Sequence, residues 1–326
     1  MLVEGNAWRV VAFGDVRLER LSYDQMPAGH LLVRVRTAGA GMPDAMMVAG
    51  QFPVLSTPPF GLGEEVCGDV VAVGEGSRFT VGERIMGITA FLLGWGGYAE
   101  YAYVREQSAG RVPTRFSDEQ AGGFSIGFRT AYHALVERAQ IRAGETVVVL
   151  GAAGSSGVTA VRLAKALGAT VIGVAGSDEK LAFAREAGAD DVVSHHVDDL
   201  AAELGALTGG RGVDLIHDAV GGPAAEAAIK ALGRNGRIVL AGLASGQPVK
   251  LDPLDMLGRN WGALGALNFG HAPEYDVAVW DRLIDLAEKG LLDTPVGRVW
   301  AFDEVPTMIA GQGSPPPGKS VVRVAD

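Results

Sequence analysis

Over the first part of the chain, apolar and polar positions alternate in short runs: Trp8 to Phe13, Val16 to Leu21, His30 to Thr37, Val66 to Val73, Arg84 to Ile88 and Tyr98 to Val104. Turn signals such as Pro27-Ala28-Gly29, Pro58-Pro59 and Gly74-Glu75-Gly76 separate them. A period of two punctuated by Gly and Pro predicts strands of a β domain.

From Thr146 the rhythm changes. Apolar runs Thr146 to Leu150, Thr170 to Ala175, Asp191 to Ser194, Val213 to Val220, Arg237 to Ala241 and Ala263 to Leu267 alternate with helical patterns at Val158 to Leu167, Leu200 to Leu207 and Ala224 to Leu232. Strands without polar alternation are buried on both faces, so this alternation predicts a parallel sheet flanked by helices. A helix from Glu274 to Lys289, stopped by Gly290, leads out of it. Val296 to Ala301 and Lys319 to Val324, around a helical Asp303 to Ile309, read as strand material returning to the first domain, with Ser314 to Gly318 as loop. The fold class is therefore α/β. Residues 1–122 with 269–326 form the β domain, and 123–268 a Rossmann-type, doubly wound parallel-sheet domain.

Composition narrows the function classes. A length of 326 residues allows about two domains, and 47 glycines suit an α/β chain with many tight turns. A formal charge of -10 argues against a general nucleic-acid or anionic-membrane binder, because both need a basic face. Cys67 is the only cysteine, which excludes an intrachain disulfide and a cysteine-rich zinc site. The opening Met1-Leu2-Val3-Glu4-Gly5 has no signal-peptide pattern, and no uncharged apolar stretch reaches membrane-spanning length, so a cytoplasmic location is expected.

The segment Glu145 to Lys180 carries the clearest chemistry. A strand enters the small-residue turn Gly151-Ala152-Ala153-Gly154-Ser155-Ser156-Gly157, a helix follows, and a second strand ends at Ala175. The turn fits A-x-G-x-x-G; small residues let backbone approach a pyrophosphate, and the helix N-terminus offers it unpaired N–H groups. About 20 residues on, where an NAD site carries an acid for the ribose hydroxyls, this chain has Gly176-Ser177. Lys180, one turn further, suits a 2′-phosphate that an aspartate would repel, so NADPH is the expected cofactor. Ser177 is equally a good N-cap, and Asp178 and Glu179 weaken the local positive field.

In sequence order, Gly39 to Asp44, Gly63-Glu64-Glu65-Val66-Cys67-Gly68, Val81-Gly82-Glu83-Arg84, Gly96-Gly97-Tyr98-Ala99-Glu100-Tyr101, Thr130-Ala131-Tyr132-His133-Ala134-Leu135, Gly151 to Gly157, Gly176 to Lys180 and Gly318-Lys319 span nearly the whole chain. Together they resemble the medium-chain dehydrogenase/reductase superfamily, and within it the zinc-independent, zeta-crystallin-like quinone oxidoreductases. That resemblance implies a GroES-like catalytic domain interrupted by a Rossmann domain, and a homodimer. It further implies that Ala153, Gly154, Ser155 and Ser156 approach the pyrophosphate. Gly176, Ser177, Lys180 and His195 then surround the adenosine phosphate, with an ordinary strand-end histidine as the other reading of His195. Gly242, Leu243 and Ala244 flank the nicotinamide ribose, while Ala266, Leu267 and Asn268 offer hydrogen bonds to the carboxamide. Thr130 resembles a residue near the nicotinamide and otherwise caps a helix.

Superfamily alcohol dehydrogenases place zinc-binding Cys and His where this chain has Gly41 and Glu64, so no metal is expected. Without that Lewis acid the implied activity is NADPH-dependent hydride transfer to a small quinone or α,β-unsaturated carbonyl. A specialised biosynthetic enone or enoyl reductase and a low-turnover NADPH-binding protein are the alternatives. Relatives often have Asn at the position of Gly41, and mitochondrial-type enoyl reductases carry a tyrosine donor where Gly50-Gln51-Phe52-Pro53 puts Phe52. Phe52 can shape a substrate pocket and cannot donate a proton. Asp44, Thr130 and Tyr98 are weak catalytic candidates: Asp44 reads more readily as a structural acceptor after a turn, and Tyr98 as packing within its strand. Protonation from solvent is expected.

Overall fold

The structure is a computed structural model that describes residues 3–52, 57–268, 272–311 and 316–325. Met1, Leu2, Pro53 of the Phe52 motif, Phe269 at the expected domain boundary, and Ser314 and Pro315 of the loop before Gly318 lie outside the described residues. Two compact units are present, residues 1–126 with 271–326 and residues 127–270.

The first unit begins with β1 (Val3–Ala12), β2 (Asp15–Tyr23), β3 (His30–Ala40), α1 (Met42–Val48), β4 (Phe60–Gly61), β5 (Glu65–Ala72), β6 (Arg84–Thr89), β7 (Tyr101–Arg111) and α2 (Asp118–Gly122). Helix α3 (Ser125–Tyr132) runs into a π-helical turn over His133–Arg138. The second unit continues with β8 (Thr146–Leu150), α4 (Ser155–Ala166), β9 (Thr170–Ala175), α5 (Asp178–Glu186), β10 (Asp191–Ser194), α6 (Leu200–Leu207), β11 (Val213–Asp218), α7 (Gly222–Ile229), β12 (Leu232–Leu240), α8 (Pro253–Arg259) and β13 (Gly262–Gly265). The chain then returns to the first unit as α9 (Pro273–Glu288), β14 (Val296–Ala301), α10 (Val305–Ala310) and β15 (Lys319–Arg323).

In the first unit β3 does most of the organising. Its residues Leu32 to Ala38 pair with β5, while on the other edge His30 to Arg34 pair with β7 and Thr37 to Ala40 with β15. With β5–β6 and β6–β7 also paired, β3, β5, β6 and β7 close into a ring, and the returning strands β15 and β14 extend it. Alternate β3 side chains such as Leu31, Val33 and Val35 are fully buried, and each contributes about 1.5–3 kcal/mol by leaving water.

In the second unit the strand order is β10-β9-β8-β11-β12-β13, all parallel. This is the doubly wound order in which the chain reverses direction between β8 and β11. Every residue of Thr146–Leu150 is buried because α4 and its neighbours cover one face and α6 and α7 the other.

The local corrections are of one kind. Strand β7 starts at Tyr101, and Tyr98 lies before it, because its backbone N–H goes to Leu62 and its carbonyl accepts from Trp8 instead of a ladder partner. Asp44 sits inside helix α1, and Thr130 lies inside α3 near its end, so it caps nothing. Ser155 and Ser156 are the first residues of α4, which begins three residues earlier than the apolar period shows because Gly154 already serves as N-cap.

Candidate functional site

Six loops leave the carboxyl ends of the parallel strands of the second unit, and the strand reversal opens between two of them. Ala152 turns back on the sheet, its N–H donating to the Val174 carbonyl at 3.1 Å. Gly151 has φ +68°, and a Cβ on Gly157 would lie 2.1 Å from the Gly151 carbonyl oxygen, so both positions exclude a side chain if α4 is to start where it does. The N-cap Gly154 contributes no side-chain hydrogen bond, which leaves the first N–H groups of this 12-residue helix without a side-chain cap among the described residues. Ala153 is buried beside them; Ser155 and Ser156 are half-buried. Such a helix end binds an anionic group.

At the end of β9, Gly176 has the His195 ring against it: a Cβ there would meet His195 Cε1 at 2.6 Å and Nε2 at 3.0 Å. Ser177 caps α5 by accepting from the Lys180 N–H at 3.3 Å. Partial burial, then the charges of His196 and Lys180, hold the His195 imidazole below its ordinary pKa.

Across the reversal, Asp218 ends β11. Its Oδ1 accepts from the Val220 and Gly221 N–H groups, both at 2.8 Å, while Oδ2 is buried without a hydrogen-bond partner among the described residues. Burial raises its pKa against those two donors. The loops after β11 and β12 are laced together, Ala241 N–H donating to Asp218 O at 2.7 Å and Ala244 N–H to Ala219 O at 3.1 Å. Gly242, Leu243 and Ala244 are exposed on this lacing. After β13, Ala266 N–H is tied to Leu240 O at 2.9 Å, Leu267 is exposed, and Asn268 has its buried Oδ1 unpaired among the described residues, an acceptor suited to an amide N–H. The residues thus fit a dinucleotide on four counts: an open helix N-terminus, a glycine-lined turn, a cation-bearing corner and an orphaned amide acceptor.

The first unit holds a different kind of polar cluster. Asp44 is fully buried and accepts three hydrogen bonds, from Tyr98 Oη at 2.7 Å, Gly41 N–H at 2.9 Å and Gly63 N–H at 3.1 Å. Burial raises its pKa and these donors oppose the rise; the Tyr98 hydroxyl is pushed well up by burial and by Asp44. Glu65 pairs with Lys319 at 2.5 Å inside the protein and accepts from the Ile126 N–H at 2.8 Å. Glu64, 8% exposed, makes no side-chain hydrogen bond or ion pair among the described residues, and burial followed by Asp44 and Glu65 pushes its carboxyl up to about 8 against the weaker pull of Lys319. Glycine at position 41 supplies no ligand atom, and burial raises the Cys67 thiol to about 12, far from a metal-binding thiolate. Among the described residues no group of three His, Cys, Asp or Glu side chains is arranged to hold a metal ion. Phe52, half-buried, belongs to this unit.

The residues expected around a cofactor follow five of the six parallel strands, with Ser155 and Ser156 in the first turn of α4 and Lys180 in the first turn of α5; Thr130 lies on α3 instead. Asp218, His196 and the Glu65–Lys319 pair were not expected. Only Asp218 has a sequence signal, an acid ending an apolar run before Gly221-Gly222.

Comparison with known proteins agrees with this geometry. The alcohol dehydrogenase GroES-like domain matches residues 27–114, and the zinc-binding dehydrogenase domain matches residues 157–288. A quinone oxidoreductase of Pseudomonas aeruginosa is 31% identical over 89% of this chain and 90% of its own. A mycobacterial structure complexed with NADPH superposes with a TM-score of 0.86 at 26% identity, covering 98% of this chain and 100% of that one. A structure described as an NAD-dependent alcohol dehydrogenase superposes with a TM-score of 0.88 at 27% identity and the same coverage.

Proposed function

Because this chain belongs to the medium-chain dehydrogenase/reductase superfamily as a quinone oxidoreductase-like protein, we propose that it is an NADPH-dependent reductase of small quinones or α,β-unsaturated carbonyl compounds and works without a metal. The observation that carries the cofactor reading is the corner at the end of β9, where Gly176, Ser177, Lys180 and His195 stand and no acid ends the strand. Ala153, Gly154, Ser155 and Ser156 would hold the pyrophosphate on the N–H groups of α4. Gly242, Leu243 and Ala244 would border the nicotinamide ribose, and Ala266, Leu267 and Asn268 the carboxamide, with Thr130 near the nicotinamide ring. When bound, the cofactor supplies a hydride, and the organic acceptor completes its reduction with one proton from solvent.

This chain's residues then orient and exclude water. Tyr98 already donates its proton to Asp44, so neither is free to act as a general acid, and Phe52 has no proton to give. The missing ligand at Gly41 and the proton-holding Glu64 are the basis for metal independence.

We also infer a homodimer of this chain, formed on the free edge of β13. Among the described residues that strand pairs only with β12, and Leu254, Leu257 and Leu267 near it are 78%, 74% and 67% exposed, a surface that a second copy would cover. No helix among the described residues is long and apolar enough to cross a membrane.

The deciding experiment is a panel of quinones, enones and alcohols assayed with NADPH and NADH on protein of measured metal content. NADPH-linked reduction by metal-free protein, unaffected by chelators, is expected. Stoichiometric zinc lost together with activity, or NADPH binding with no turnover of any acceptor, would overturn the assignment.

A further inference from the structure

The corner around Gly176 contains a second histidine with no assigned role. A Cβ placed on Gly176 would have His195 Nε2 at 3.0 Å and His196 Nε2 at 3.4 Å, so the two ring nitrogens converge on one point above the end of β9. The ring centroids are 4.2 Å apart, and the planes are tilted by 54°. The arrangement is built by the backbone: His195 N–H donates to Ala175 O at 3.0 Å, and His196 N–H to Ser194 Oγ at 3.1 Å. Both imidazoles remain exposed.

The surrounding charges make this an unusual pair. β10 is packed by β9, α5 and α6. β9 has no charged side chain; this end of α5 carries Asp178, Glu179 and Lys180, and the start of α6 follows Asp198 and Asp199. The charges acting on His195 are those of His196 and Lys180, and both oppose its protonation. Among the described residues neither imidazole nor the Lys180 amine makes an ion pair, although several acids stand within a turn of chain. Three potential cations gathered without an anion are a site that an anion would complete.

Resting on the NADPH reading above, we propose that His196, with His195 and Lys180, forms the seat of the adenosine 2′-phosphate, and that the imidazole pair takes up a proton when the phosphate binds. A phosphomonoester carries a charge of about -1.5 to -2 at neutral pH and offers three acceptor oxygens. Such a charge beside the imidazoles favours their protonated form, and at His195 it opposes the effect that the free protein's own cations exert. NADH lacks the phosphate, so its binding moves no proton at this corner. The histidine pair thus makes NADP(H) selectivity rise as pH falls.

Calorimetric titration at pH 7.5 in buffers of different ionisation heat tests this. NADPH should bind with uptake of roughly half a proton or more, and NADH with none. His196→Asn, on an exposed ring, should weaken NADPH binding about fivefold to twentyfold, leave NADH binding unchanged and reduce the uptake. Thermal unfolding confirms that the variants fold. Tight, preferential NADPH binding without differential proton uptake, or uptake that persists in a His195→Asn/His196→Asn variant, would overturn the proposal while leaving the cofactor reading intact. Equal affinity for NADPH and NADH would instead overturn the cofactor reading itself.

Discussion

Tyr98 Oη stands 2.7 Å from Asp44 Oδ2, with Tyr98 fully buried and Asp44 only 2% exposed. The hydroxyl also lies 3.3 Å from the Gly39 carbonyl oxygen, so it bridges strand β3 and helix α1 in a place closed to water. The phenol serves a buried carboxyl, and its proton is already committed.

Tyr98→Phe should therefore be a stability variant. Loss of one hydrogen bond to a charged group costs about 1.5–3 kcal/mol, while Asp44 keeps its two backbone donors. Chemical denaturation should show the loss. Turnover by the folded variant should stay well short of the roughly 100-fold to 10,000-fold decrease expected on removing a general acid; a decrease of that size with NADPH affinity intact would make Tyr98 the acid.

Lys180→Ala should raise the Michaelis constant for NADPH relative to that for NADH about 10- to 100-fold, the loss of one charge-assisted contact. Steady-state kinetics with both cofactors measure the ratio. An unchanged ratio would remove Lys180 from the cofactor corner.

Glu64 should make the first unit less stable in alkali. Its folded pKa of about 8 lies above the ordinary 4.5, so the folded protein keeps a proton that the unfolded chain releases. The resulting stabilisation is complete below about pH 4.5 and is lost as pH rises through 8, a change of a few kcal/mol. Urea midpoints compared at pH 5 and pH 8 should show the decline, and Glu64→Gln should flatten it.

His217 should act in the opposite direction. It is fully buried in β11 with neither ring nitrogen hydrogen-bonded among the described residues, and burial lowers it from 6.5 to about 4. The unfolded chain therefore binds the proton first, and the stability present above pH 6.5 is lost as pH falls towards 4. Replacing it with an apolar residue of similar size, His217→Leu, should shift acid unfolding to lower pH, read from circular dichroism. An unmoved acid midpoint would show that this imidazole does not govern acid unfolding.

Much of this was written locally in the chain. The β8–α4–β9 unit follows from apolar runs, the small-residue turn and Gly168, all within one short stretch of chain, and the absence of an acid at the end of β9, where Gly176-Ser177 stand, is a property of neighbouring residues. The cap signals Ser117-x-x-Gln120 and Asp252-Pro253 also announce α2 and α8, although the apolar period alone passes over such short helices. Tertiary structure alone decided which distant groups share a dielectric and a proton. Glu65 meets Lys319 because β3 pairs with both β5 and β15, Asp44 meets Tyr98 because Tyr98 pairs with Leu62 and the next residue, Gly63, donates to Asp44, and His196 reaches Gly176 because β10 lies beside β9. Periodicity identifies which face of an element is buried; the energy of a buried charge depends on the partner that long-range pairing places beside it.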